Sequence, residues 1–318
     1  MTMTSASGFV QLEDSLNQPH IHGSLLEELY TDTIFSEIAT TDYFSDLRCG
    51  TTVIIQREPD INIHRYQKNQ RLKIDPIQGI CEHELSIDHA YYANVKFDDL
   101  DKEFICREND LREAFRHRVI RKMKETVEAV AFSTIFADAA VANQGDSAGA
   151  QSGMYDLGKL GTPYDMNPDT IMNFLFYADA VLMEQSAPMD GNRFMIFPNV
   201  AKPIFVQSPY MNKDLLGDCV DCLPARTGRM YNDIYGFNIY FSDRLPSCTD
   251  PVTNQTAYPI LFGHSDAMAY TMHMGNFEVI RLEGTFGEAL RVLMTFGVGT
   301  VREELLGAGY ATFSLTSN

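Results

Sequence analysis

A long amphipathic helix is the feature that most constrains how this chain can fold. Between residue 109 and about residue 142, apolar residues recur at steps of three and four: Leu111, Phe115, Val119, Met123, Val127, Val130 and Thr134. The opposite face is basic and carries Arg112, Arg116, Arg118, Arg121, Lys122 and Lys124. Asn109 or Asp110 can cap the start. At a rise of 1.5 Å per residue such a helix is roughly 50 Å long, so it spans a whole domain.

A β-hairpin is predicted in front of this helix, because the apolar pattern changes to period two between residues 51 and 88. Ile61 and Ile63, Leu72 and Ile74, and Leu85 and Ile87 alternate with polar residues, and residues 67–70 form a polar turn. The tip is basic, with Arg57, Arg65, Lys68, Arg71 and Lys73. An isolated two-stranded ribbon is marginally stable in water, so the hairpin needs another surface to lie on.

The rest of the sequence predicts an α+β chain. Residues 1–24 read as a flexible arm, followed by a helix over 25–44. A glycine-rich break at 143–161 precedes a helix over 167–186, which Asn167 caps. The strands are expected at 194–197, 236–241, 259–262 and 291–298, with a short helix at 265–269.

Charge and composition exclude several classes of protein. The 318 residues include 43 acidic and 25 basic ones, giving a net charge of −18, so sequence-reading nucleic-acid binding is a poor first hypothesis. No apolar run approaches the ~20 residues that cross a membrane, and no secretory signal is visible. We therefore expect a cytosol-like compartment and reduced thiols for the six cysteines.

No constellation of reactive residues carries convincing chemistry. Cys219 and Cys222 form a C-x-x-C without a second pair, and Cys248 stands alone. The other candidates are His20 with His22, His264 with His273, and the acidic cluster of Asp98, Asp99 and Asp101, and for each a structural or solvated role is favoured. We expect no catalytic group, no cofactor and no metal. A long chain without reactive groups but with a projecting hairpin is suited to contacting copies of itself.

Several short motifs occur in a recognisable order. They are Lys96-Phe-Asp-Asp-Leu-Asp101 before the long helix, Leu182 to Pro188 with Gly191-Asn-Arg-Phe194, Ile234-Tyr-Gly-Phe-Asn-Ile-Tyr-Phe-Ser242, Leu261-Phe-Gly-His-Ser-Asp-Ala267, and Thr295-Phe-Gly-Val298 with Arg302-Glu-Glu-Leu305. In this order they resemble the major capsid proteins of tailed double-stranded DNA phages, which share the Hong Kong 97 fold. Glu303 stands where that family usually has proline.

The resemblance implies a Hong Kong 97-type fold with five parts. These would be an N-terminal arm and helix (1–46), an extended β-hairpin loop (47–97), and a peripheral domain (98–166 and 286–318) that contains a spine helix (109–142). The last part would be an inserted axial domain (167–285).

The function that the resemblance implies is self-assembly into an icosahedral head shell around packaged double-stranded DNA. The expected partners are the chain itself, in hexamers and pentamers, with a scaffolding protein, a portal and other head proteins, and with DNA contacted non-specifically. Assembly would take place in the host cytoplasm, and no membrane is involved. Arg65, Arg71 and Lys73 are the candidate subunit-interface residues. The alternatives are an encapsulin-type cargo shell of the same fold and a metal- or thiol-dependent enzyme that uses Cys219 and Cys222.

Overall fold

The computed structural model describes residues 34–39, 52–56, 63–68, 71, 82–99, 108–209, 233–274 and 277–315. The chain divides into two compact units. Among the described residues, the smaller unit contains 89–128 and 272–296, and the larger unit contains 34–88, 129–271 and 297–315. The predicted arm, the predicted strand at Leu72 and Ile74, and the C-x-x-C lie outside the described residues.

The chain combines helices with largely antiparallel sheets, which confirms the α+β prediction. The α-helices are α1 (Phe35–Ile38), α2 (Glu108–Ala137), α3 (Ile171–Glu184) and α4 (Ala201–Gln207). Short 3-10 helices lie at Val141–Asn143, Ser265–Ala267 and Glu303–Leu305. The strands are β1 (Thr52–Gln56), β2 (Glu82–Ser86), β3 (His89–Asp98), β4 (Tyr164–Met166), β5 (Arg193–Pro198), β6 (Asp233–Ile234), β7 (Phe237–Ser242), β8 (Cys248–Thr249), β9 (Thr256–His264), β10 (Met268–Met274), β11 (Glu278–Arg281), β12 (Gly287–Thr300) and β13 (Leu306–Phe313).

An antiparallel sheet forms the body of the smaller unit. β3 and β11 both pair with β12, and β10 belongs to the same sheet. Side chains of β3 alternate between half-buried and exposed, as expected when only one face of a sheet is covered. On the covered face the Phe97 ring meets Phe115 of α2 edge-on, with 5.3 Å between ring centroids.

The long helix begins where the sequence predicts but ends at Ala137, five residues early. Its buried stripe also differs in the second half, where the predicted core residue Thr134 is only half-buried and its hydroxyl donates to the Val130 carbonyl (3.0 Å). The buried residues there follow steps of four instead, at Val127, Ala131 and Ile135, and Phe132 lies beside them. Phe132 packs edge-on against Phe35 of α1.

A seven-stranded mixed sheet forms the core of the larger unit, in the order β4-β13-β9-β5-β7-β6, with β8 added to β9. β5 and β7 are parallel, whereas β5 and β9 are antiparallel. Every residue of β5 is buried, as its continuous apolar run predicts. α3 covers the sheet, and its Phe174 contacts the rings of Phe197 and Phe262.

The glycine-rich segment at 143–161 belongs to this larger unit. Asn143 donates from its side-chain amide to the carbonyls of Glu304 (2.8 Å) and Leu306 (2.9 Å). Gly158 has φ +75°, and a Cβ there would lie 2.1 Å from the Tyr310 carbonyl oxygen. Glycine is therefore required where this segment runs against β13.

Three local predictions are wrong. Ile63 and His64 lie outside any strand and are exposed, so the predicted strand at 61–64 is absent at these described positions. The helix predicted to continue to residue 44 ends at Ile38, because Ala39 is extended. Met268 and Ala269, expected in a short helix, belong to β10. The predicted cap at Asn167 is confirmed: its Oδ1 accepts from the Asp169 and Thr170 amides (both 3.0 Å) and its carbonyl from the Ile171 amide (3.1 Å), where α3 begins.

Candidate functional site

The predicted interface residues lie beyond the paired part of the hairpin. β1 and β2 pair from Thr52–Ser86 to Gln56–Glu82. Farther out, residues 63–68 and 71 are all exposed, and these include Arg65 and Arg71. Two apolar side chains are exposed with them, Ile63 at 96% and Tyr66 at 68%. Lys73 lies outside the described residues, and the role of the three basic residues stays a prediction.

The base of the hairpin is fixed in the larger unit. Ile55 of β1 and Leu85 of β2 are buried in a cluster with Ala269, against which Val301 packs. A Cβ at Gly297 would lie 2.3 Å from the Ser86 carbonyl oxygen, so glycine allows β2 to run close to this part of β12. The base is thus held by packing while the described outer residues remain open to solvent.

The uncovered face of the smaller unit's sheet carries an apolar pair with ionic neighbours. Tyr92 of β3 and Leu293 of β12 are opposite in register and are 78% and 53% exposed. Arg291, two residues before Leu293 on β12, donates two hydrogen bonds to Glu278 of β11 (2.9 and 2.8 Å). This face was not predicted from the sequence, although the period-two pattern of residues 89–98 indicates a strand with one exposed face.

The exposed side of α2 is basic, as predicted. Arg116, His117, Arg118 and Lys122 are exposed, whereas Arg121 and Lys124 are half-buried. The Arg116 guanidinium lies over the Phe277 ring, 5.8 Å from its centroid, and Lys122 pairs with Glu125 (2.8 Å). Arg118 has no carboxylate partner among the described residues.

The turn between α3 and β5 is held by a buried arginine. Arg193 is 1% exposed and forms an ion pair with Asp179 of α3. Its guanidinium also donates to the carbonyls of Pro188 (2.8 Å) and Ala187 (2.6 Å). Burial raises the pKa of Asp179, and the Arg193 charge opposes that rise. Arg193 of the Gly191-Asn-Arg-Phe194 motif therefore has a structural role, because it links α3 to the turn before β5.

Both ring nitrogens of His264, in the same region, have hydrogen-bond partners. Its Nδ1 accepts from the Asp266 amide (3.2 Å), so Nε2 is the nitrogen that donates to Asp190 Oδ1 (2.8 Å). The hydrogen bond from His264 and that from the Asn192 amide lower the pKa of Asp190 from 3.8 to about 2. With both ring nitrogens occupied, His264 is poorly placed to act as a general base.

Among the residues that the structure describes, no other predicted reactive groups lie together. Within the described ranges, no cluster of three His, Cys, Asp or Glu side chains could hold a metal ion. Cys248 is half-buried in β8, and Asp98 lies 3.4 Å from Lys96. The side chains of His20, His22, Asp101, Cys219, Cys222 and His273 lie outside the described residues.

Among the helices that the structure describes, none is long and apolar enough to span a membrane.

The chain is similar in structure to solved structures from phages. A structure titled Mycobacterium phage Che8 has a TM-score of 0.69 and 17% identity, covering 91% of this chain and 94% of the other. The capsid of cyanophage P-SCSP1u has a TM-score of 0.63 and 17% identity, with 95% and 94% covered. The capsid of Ralstonia phage GP4 has a TM-score of 0.62 and 11% identity, with both chains covered completely. No protein-family model and no curated protein matches the sequence.

Proposed function

We propose that this chain, which has the Hong Kong 97-type capsid fold, is the major capsid protein of a tailed phage. The observation that carries the proposal is structural likeness over essentially the whole length of phage capsid chains, with both chains covered completely for Ralstonia phage GP4. In this function many copies form hexamers and pentamers and close into an icosahedral head shell around double-stranded DNA. Its work is adhesion between copies, without catalysis.

The exposed hairpin and sheet face supply surfaces for this adhesion. Arg65, Arg71 and Lys73 form salt links with acidic surface on a neighbouring subunit, and the net charge of −18 makes such surface plentiful. Ile63 and Tyr66 add apolar area, which such contacts bury. A standard stable interface buries about 1,600 Å². Because each subunit makes several contacts at once, modest individual contacts suffice.

The proposal also includes the domain organisation and the further partners of the chain. An axial domain is inserted at 167–285. A scaffolding protein, a portal and other head proteins are the chain's further partners. Assembly takes place in the host cytoplasm, and the assembled chain is part of the virion.

Sedimentation velocity of the expressed full chain tests the proposal. We expect a fast-sedimenting species of many subunits that grows with protein concentration at the expense of the monomer. A chain that stays monomeric at every concentration and salt tested would contradict a shell-forming function. Nuclease-protected DNA in particles recovered from infected cells, in the absence of a bound cargo enzyme, distinguishes a phage capsid from an encapsulin-type shell.

A further inference from the structure

We infer that the exposed basic residues of α2 bind the phosphate backbone of duplex DNA. These residues are Arg116, His117, Arg118 and Lys122, and they are called the α2 basic patch below. The inference deepens the proposed function and rests on it, since it names the part of the subunit that touches the enclosed DNA.

The cations of the patch are incompletely balanced, whereas two cations elsewhere on the protein pair with carboxylates. Lys159 pairs with Asp146 (2.6 Å) and Arg244 pairs with Asp243 (2.9 Å). In the patch only Lys122 has such a partner. Among the described residues, no carboxylate pairs with Arg116 or Arg118.

Basic residues are also concentrated on this helix in an otherwise acidic protein. Six of the 25 Lys and Arg residues fall between residues 112 and 124. Arg118 stands four residues before Lys122 and three before Arg121, spacings at which like charges repel each other and destabilise an isolated helix. A bound polyanion removes that repulsion.

The composition of the patch favours phosphate over the surface of a sister subunit. Protein–protein interface cores are depleted in charged residues and enriched in aromatic ones, but α2 contributes none of the described chain's exposed large apolar side chains. Protein–DNA interfaces are polar and strongly positive. Arg118 and Lys122 lie four residues apart, about 6 Å along the helix axis and on the same face, so these two charges can contact neighbouring phosphates of a linear polyanion.

The test is the salt dependence of DNA binding by the full chain. A fluorescent 20-base-pair duplex of mixed sequence is titrated with purified protein at several NaCl concentrations, and binding is followed by anisotropy. The variant is Arg118→Gln with Lys122→Gln. The matched control is Arg244→Gln with Lys159→Gln, which removes one arginine and one lysine from paired sites outside the patch.

We expect wild-type binding to weaken as salt rises, because neutralised phosphates release counterions. Each lost phosphate contact reduces the steepness of log K against log salt by about 0.9, so the loss of two contacts should reduce it by about 1.8. The control should keep the wild-type slope, and both variants should still form particles.

Three results would overturn the inference: no salt-sensitive binding by the wild type, equal slopes for the patch variant and the control, or failure of the patch variant alone to form particles without DNA. The last result would place a sister subunit on the patch. Failure of the wild-type chain to form particles would contradict the proposed function separately, because the DNA titration uses unassembled subunits.

Discussion

Tyr92 of β3 lies directly opposite Leu293 of β12, and both side chains point to the uncovered side of the sheet. A cross-strand pair of this kind contributes only about 0.2–1 kcal/mol to folding. Its 78% and 53% exposed side chains therefore leave apolar area that a neighbouring subunit can bury.

Replacing this pair should weaken assembly more than folding. For Tyr92→Ala with Leu293→Ala, we expect the subunit's free energy of unfolding in urea to fall by about 1 kcal/mol or less. The concentration needed for particle formation should rise roughly tenfold, which corresponds to ~1.4 kcal/mol per subunit.

The matched control is Met294→Ala, on the same strand but 1% exposed. It should cost about 2–5 kcal/mol of folding stability. If the exposed pair destabilised the subunit as much as Met294→Ala, or if particles formed at the wild-type concentration, the surface would have no role in assembly.

Charge reversal in the hairpin should separate folding from assembly. For Arg65→Glu with Arg71→Glu, both exposed, we expect unfolding free energies within about 0.5 kcal/mol of wild type and a strong loss of particles. Electron microscopy and urea unfolding measure the two effects. Lys202→Glu with Arg281→Glu reverses two other exposed cations and should assemble normally. Normal shells from the hairpin variant would contradict the salt-link proposal.

Gly158 should tolerate no side chain, whereas Gly145 should tolerate one at modest cost. Both have positive φ, +75° and +86°. A Cβ at Gly158 would lie 2.1 Å from the Tyr310 carbonyl oxygen, while a Cβ at Gly145 has nothing within 4 Å. We expect Gly145→Ala to cost about 1–2 kcal/mol and Gly158→Ala about 2–5 kcal/mol, measured by urea unfolding. Equal costs would mean that the close approach to β13 is absent in solution.

The Asp190–His264 hydrogen bond should make the free energy of unfolding decrease as pH falls through the acidic range. The pKa of Asp190 falls from 3.8 to about 2 on folding. The stabilisation is therefore complete above the unfolded value and is lost as pH drops towards about 2. The stability difference between wild type and Asp190→Asn should be at its full value above about pH 5 and should shrink as pH falls towards about 2.

A double-mutant cycle identifies the cause of this dependence. His264 is the largest contributor to the lowered pKa of Asp190, so Asp190→Asn in a His264→Gln background should have a smaller and flatter effect. An effect of Asp190→Asn that is unchanged by the His264 substitution would assign the pH dependence to other groups.

Strong local signals made much of the fold predictable. The Hong Kong 97-type fold is confirmed, as are α2, α3 and the apolar strands β5, β7, β9 and β12. β13 was missed because Gly307, Gly309 and Ala308 carry no β-forming signal of their own. Their small size is required by tertiary packing instead, since a Cβ at Gly307 would meet the Phe262 ring at 2.3 Å.

The buried stripe of α2 shows the limit of a periodicity argument. The predicted stripe continues from Val127 to Val130, which has the larger apolar side chain. The observed stripe continues to Ala131, which is fully buried. Contacts from distant residues such as Phe35 decide the choice.

Residues that meet only through the fold could not be predicted as pairs. Arg193 and Asp179 are 14 residues apart, and Asp190 and His264 are 74 apart. The register of β5 against β9, which sets Arg193 opposite His264, brings them into one region. The roles of Arg65, Arg71 and Lys73 involve a second subunit, so one chain's sequence gives their type and charge but not their partners.

Negative-stain electron microscopy of the expressed chain tests whether many copies assemble into a shell. We expect closed polyhedral particles of uniform size, each built from many copies. A field of small, single-copy particles across the conditions in which the subunit is folded would contradict shell assembly.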